Sequence, residues 1–119
     1  MRDRIELSLL LDYYGAFLTE NQRELIELSC DDDLSLSEIA EQKGISRQGV
    51  RDAITRGEKS LSEMESKLGL IARDRRVRAL IGELQSVLVD ESAEQEQKLK
   101  TVNTGLSEIS DIMEGKDGV

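Results

Sequence analysis

The sequence has no proline, no histidine and no tryptophan, and its single cysteine is Cys30. Aromatic residues fill only 3% of its 119 positions. Each absence removes a class of protein. Without histidine and with one cysteine there is no His/Cys metal site, no Ser-His-Asp or Cys-His catalysis, and no disulfide within one chain. A lone cysteine suits a reducing compartment. A small β-sandwich or barrel lacking proline and nearly lacking aromatics would be unusual, whereas helical proteins tolerate both. No segment approaches the roughly 18 consecutive apolar residues of a membrane span. Met1-Arg2-Asp3-Arg4 runs straight into an amphipathic pattern with no apolar signal core. The expectation is an all-α, soluble, cytoplasmic protein with no membrane partner and no cofactor.

Hydrophobic residues make up 38% of the chain and charged residues 34%, with a net charge of −9. Aliphatic side chains must therefore build the core. The acidity opposes phosphate on average, so a bound duplex has to meet a locally basic surface. Charge is unevenly spread. Residues 1–34 carry three basic and nine acidic groups, and residues 90–119 are acidic again by five. Residues 35–60 carry five basic against four acidic groups, and residues 70–89 four arginines against Asp74 and Glu83. Only the middle of the chain can comfortably approach an anion.

Turn chemistry divides the sequence into about six helices. The first spans roughly residues 3–15, with Ile5, Leu9, Leu10, Tyr13, Tyr14 and Phe17 as its apolar face and Gly15 as a left-handed cap. Thr19-Glu20-Asn21-Gln22 reads as a capping box opening a second helix to Cys30, which buries Leu25, Ile26 and Leu28. Cys30 reads as a small hydrophobe. Asp31-Asp32-Asp33 ends that helix; it lacks the glycine and terminal glutamate of a calcium loop, so it reads as a solvated turn and no metal is expected. Ser35-Leu36-Ser37-Glu38 is a second capping box, and its short helix ends at Lys43 before Gly44.

The fourth helix, capped by Ser46, carries Val50, Ile54, Gly57, Leu61, Met64 and Leu68 at alternating steps of four and three, and Gly69 closes it. A fifth from about Ile71 to Val89 uses Val77, Leu80, Ile81, Leu84 and Leu88. The last starts near Ser92 or Ala93 with a seam of Leu99, Val102, Leu106, Ile109 and Met113, and the tail from Gly115 to Val119 should fray. The expected division is a helix-turn-helix domain over 1–69 and C-terminal helices for packing or dimerisation over 70–119.

Residues 35–56 carry the most information: a helix, a tight glycine turn and a second helix. Ala40 is small where the second helix crosses closely, and Gly44 takes the positive φ that reverses the chain. Ile39, Ile45 and Val50 are expected to fill the wedge, while Ser46 caps the helix whose first turns would enter a major groove. On that recognition helix Arg47, Gln48, Arg51 and Thr55 point away from the Val50–Ile54 seam. Arginine and glutamine present planar donors suited to guanine and adenine edges. Ser46 and the backbone N–H groups beside it suit a phosphate. Ser46, Arg47, Gln48, Arg51 and Thr55 are the candidate DNA-binding residues. The competing reading is an αα-corner that packs without touching DNA.

These residues also carry a resemblance. Leu10-Leu11-Asp12-Tyr13-Tyr14-Gly15, Leu18-Thr19-Glu20-Asn21-Gln22-Arg23 and Asp33-Leu34-Ser35-Leu36-Ser37-Glu38-Ile39-Ala40 match in sequence with Gly44-Ile45-Ser46-Arg47-Gln48, Val50, Arg56 and Glu58-Lys59. Over roughly residues 1–85 the chain resembles the YlxM-like bacterial helix-turn-helix proteins, which are similar to region four of primary sigma factors. The resemblance implies a DNA-binding or regulatory protein connected with the signal recognition particle pathway, whose genes neighbour those of the family. The alternative, which the overall acidity favours, is a protein or ribonucleoprotein interaction module of that pathway that uses the helix-turn-helix corner without reading DNA. Two positions depart from the family. Gly49 stands where alanine is usual, a cost to the helix of about 1 kcal/mol, and Arg51 stands where an aromatic is common, adding charge to the outward face.

Two further features need partners. Arg73-Asp74-Arg75-Arg76-Val77-Arg78 opens the fifth helix, where cations oppose the helix dipole. Asp31–Asp33, the acidic C-terminal third, or a nucleic-acid phosphate could answer it. The short C-terminal seam must dock on something, either the fifth helix or a second copy whose acidic stretch from Asp90 to Glu96 would meet the arginines. An enzyme is not expected. Carboxylates such as Glu63 and Glu65 do not converge, and there is no phosphate loop and no nucleophile with a base.

Overall fold

The computed structural model describes residues 3–116, which contain six α-helices, a 3-10 turn and no strand. The helices are α1 (Arg4–Tyr14), α2 (Glu20–Cys30), α3 (Leu36–Lys43), α4 (Arg47–Leu68), α5 (Leu70–Val89) and α6 (Gln95–Glu114), with the 3-10 turn at Gly15–Phe17. Two compact units result, residues 1–69 and 70–119. Met1 and Arg2, and residues 117–119 of the expected fraying tail, lie outside the described residues.

Local side-chain chemistry sets the helix starts in the first unit. Asp3 accepts from the Ile5 N–H at 3.3 Å to begin α1. Reciprocal capping boxes open α2 (Thr19 with Gln22) and α3 (Ser35 with Glu38), so two otherwise orphaned N–H groups are satisfied at each end. The core is aliphatic except for one ring. Tyr14, Leu25, Ile26, Ile39, Val50 and Leu61 are fully enclosed, joined by Leu7, Leu10, Leu11 and Ile54. The Tyr14 hydroxyl donates to Glu65 Oε1 at 2.5 Å, tying the end of α1 to α4. Gly57 lets α4 approach α2, since a Cβ there would stand 2.5 Å from Ile26 Cδ1.

Three expectations for this unit are corrected. The buried face of α1 is Leu7, Leu10, Leu11 and Tyr14, while Ile5 and Phe17 are exposed. A period-3.6 pattern with apolar residues nearly all round leaves the phase open, and contact with α2 and α4 settles it. Gly15 is right-handed (φ −57°), because the chain continues as a 3-10 turn instead of reversing. Leu68, at the end of the α4 seam, is exposed. The Asp31–Asp33 turn is tied to the start of α1 by an ion pair between Arg4 and Asp33 and by Ser8 Oγ donating to Asp31 at 3.2 Å.

The second unit is a helical hairpin. Leu84 of α5 packs against Gly105 of α6, where a Cβ would lie only 2.4 Å from Leu84 Cδ2. Ile112 is the buried anchor of α6. The expected α6 seam is thus displaced: Leu99, Leu106 and Met113 are exposed, and Ile81 and Leu88 of α5 likewise. The smooth closest-approach surface at Gly105 outweighs the bulkier seam in choosing the line of contact. Helix α6 also begins later than expected. Ser92 is used in a turn, its N–H and Oγ both donating to Asp90 Oδ1 (3.0 and 2.6 Å), so Glu94 takes the position before the first turn.

Candidate nucleic-acid interface

Helix α3, the turn at 44–46 and the start of α4 form the candidate site. Gly44 adopts φ 68°, ψ 32°, the left-handed conformation that a Cβ makes costly. Its N–H and that of Ile45 both donate to the Ala40 carbonyl, closing α3. The chain then extends at Ser46 (φ −77°, ψ 155°), whose Oγ accepts the Gly49 N–H at 2.9 Å to cap α4. Ile39 and Val50 are fully buried and Ala40 nearly so, which fixes the crossing of the two helices. Ile45 does not fill the wedge as expected: it stays 44% exposed, because the paired N–H bonds to Ala40 hold its backbone at the rim.

All five sequence-derived site residues lie at the surface. Gln48, Arg51 and Thr55 follow one another at steps of three and four along the exposed side of α4, with Arg51 flanking the buried line of Val50, Ile54, Gly57 and Leu61. Lys59 continues the row by one more turn; Ser46 caps the helix, and Arg47, in line with Val50 and Ile54, is exposed because it stands in the first turn. Arg47, Arg51, Arg56 and Lys59 are exposed and make no ion pair among the described residues. Lys43 is different. Its ammonium is 2.6 Å from Glu24, whose carboxyl it holds below the usual carboxylate range by hydrogen bond and charge.

One residue of this face escaped the sequence reading. Asp52 stands beside Arg51 and accepts from the Gln48 side-chain amide at 2.9 Å. The i, i+4 spacing was the signal that could have found it. The contact occupies one N–H of that amide and leaves its carbonyl oxygen and second N–H outward, the pair that a bidentate adenine contact uses.

No group of three or more His, Cys, Asp or Glu side chains that could hold a metal ion occurs among the described residues. Cys30 is half-buried, and burial together with Asp31 and Glu58 pushes its thiol up to about 11, so it is not a thiolate near neutrality. No helix of the described residues is long and apolar enough to cross a membrane.

The architecture defines an all-α helix-turn-helix protein. Residues 1–102 match the family model UPF0122, described as "Putative helix-turn-helix protein, YlxM / p13 like", and the chain belongs to that family. Among its relatives, a UPF0122 protein of Clostridium botulinum is 50% identical over 76 residues, 64% of this chain and 70% of that protein. One from Symbiobacterium thermophilum is 46% identical over 88 residues, 74% and 82% of the two chains. One from Acetivibrio thermocellus is 40% identical over 109 residues, 87% and 93% of the two chains.

Proposed function

We propose that the protein binds DNA through the first turns of α4 and acts as a non-enzymatic regulator in the cytoplasm. The observation that carries the reading is the exposed side of α4, where Arg47 at the first turn and Arg51 and Lys59 along the row are exposed and unpaired among the described residues while Val50, Ile54 and Leu61 lock the helix into the core. Arg47 and Arg51 would meet guanine edges, Gln48 adenine, and Thr55 the flanking backbone. Ser46 and the neighbouring N–H groups would meet phosphate at the helix N-terminus. A homodimer held through the C-terminal helices would set two such helices against two half-sites and raise both affinity and specificity.

Enrichment tests this reading. Immobilised protein should draw a recurring short motif from a pool of random duplexes. A pool that emerges without sequence bias defeats it. The net charge of −9 supports a second reading, in which the same corner binds a protein or ribonucleoprotein of the signal recognition particle pathway. In that case the chain enriches no duplex.

A further inference from the structure

The α5–α6 hairpin has two unlike faces. Lys98 Nζ reaches the Leu88 carbonyl at 3.4 Å and Leu84 abuts Gly105, so the helices run antiparallel. On one side of that contact line lies a shallow trough with Leu80 and Leu84 at its floor and Glu83, Gln97, Lys100 and Glu108 among the residues around it. On the other side, Ile81 and Leu88 of α5 and Leu99, Leu106 and Met113 of α6 are exposed. At 3.6 residues per turn, the α5 set is rotated from Leu84 in the same sense as the α6 set is from Gly105. In antiparallel helices, rotation in the same sense brings both sets onto one face.

The face has the pattern of a helix-packing seam. Leu99, Leu106 and Met113 are seven residues apart, with half-buried Val102 and Ile109 three residues after the first two. Ile81 and Leu88 repeat the interval of seven on α5. The exposed apolar side chains span about 10 Å of α5 (Ile81 to Leu88) and about 21 Å of α6 (Leu99 to Met113), and with each helix about 10 Å wide they cover on the order of 300 Å². Apolar patches beyond a few hundred Å² mark interaction surfaces, and a standard interface takes about 800 Å² per partner.

Charge identifies the occupant. Arg75 is exposed toward the open end of the hairpin and Arg78 nearer the middle of α5, with Glu91 and Glu94 exposed at its loop end. None of the four forms an ion pair among the described residues. A second hairpin laid antiparallel on the first brings arginines to glutamates at both ends at once. The parallel arrangement would set the two acidic loops against each other. We propose that two copies of this chain associate through the faces that carry Leu88, Leu99, Leu106 and Met113, in an antiparallel four-helix arrangement with the Arg75–Arg78 end of each copy against the Glu91–Glu94 loop of the other. This deepens the homodimer reading above and rests on it, whereas DNA contact by α4 is independent of it.

Sedimentation equilibrium of the full chain without DNA, across the micromolar range, tests the proposal. The wild type should sediment as a dimer. The Leu99→Glu, Leu106→Glu variant should dissociate at least about tenfold more readily while keeping its helical circular dichroism, since both side chains are outside the core. Arg75→Glu with Arg78→Glu should also weaken the dimer, and adding Glu91→Arg and Glu94→Arg should restore it. A wild-type monomer throughout the range overturns the proposal, as does a dimer indifferent to the leucine changes. Failure of the second charge pair to restore association overturns the antiparallel orientation. A chain that is monomeric yet reads DNA leaves the function of α4 standing, so the two failures are distinguishable.

Discussion

Gly44 and Ser46 show how much of the corner rests on single residues. The left-handed φ at 44 reverses the chain with no side chain in the way, and the Ser46 oxygen then starts α4. Gly44→Val should lower stability by more than about 1 kcal/mol, because a β-branched residue is strained at positive φ. A thermal melt that stays within about a degree of wild type would contradict this. Cys30 gives a second test. With its thiol raised to about 11 by burial and by Asp31 and Glu58, it should react with iodoacetamide near neutral pH much more slowly in the native chain than in urea. Equal rates would place the thiol in solvent. Gly44, Ser46 and the outward arginines were legible because caps and turns act over three or four residues of local chain. Asp52 was not, because a carboxylate on a helix proposed to face DNA is repelled by phosphate and its pairing with the Gln48 amide depends on the side-chain rotamers.

Helix ends proved easier to read than helix faces. Both capping boxes form as the spacing of Thr19 with Gln22 and Ser35 with Glu38 implies. The faces depend on what the rest of the chain offers. Ile5 at the start of α1 and Phe17 in the 3-10 turn after it face outward while Leu7, Leu10, Leu11 and Tyr14 are buried, and in α6 the contact line passes through Gly105 instead of Leu99 and Leu106. Gly57 falls in step with the α4 seam and was visible to periodicity, whereas Gly105 lies outside the apolar repeat of α6 and was not. Gly105→Val should therefore loosen the hairpin by about 1–3 kcal/mol, as overpacking against Leu84 does. Hydrogen exchange of the α6 amides checks it; unchanged protection would mean that the helices meet elsewhere. The bridge from α2 to α3 is pH-dependent. Lys43 lowers the Glu24 pKa on folding, so its contribution is present above the ordinary glutamate value and is lost as the pH falls through the folded value. The Lys43→Met variant should lose less stability than wild type on acidification below about pH 4.5 in paired urea melts, and identical losses would count against the bridge.

At the scale of the whole molecule, charge is distributed against function of one simple kind. The chain carries −9 overall, yet the exposed side of α4, from Ser46 and Arg47 at its start through Gln48, Arg51, Thr55 and Lys59, has its cations unpaired among the described residues. Long-range repulsion by the acidic segments should slow non-specific association with nucleic acid, so contact is expected to depend on a short-range fit of α4 to base edges. The all-α class and the helix-turn-helix were readable from composition, turn residues and spacing, and family membership agrees with them. Which ligand meets the face was not readable, because the same exposed arginines serve a duplex or an acidic protein. The decisive measurement is equilibrium binding of an enriched duplex by the wild type and by an Arg47→Ala, Arg51→Ala variant at one fixed salt concentration. Loss of base-edge contacts should cost the variant about 1–3 kcal/mol on that duplex, roughly five- to 150-fold in Kd, with little change on a scrambled duplex. Equal affinity of the two proteins for the enriched duplex would contradict DNA reading by α4.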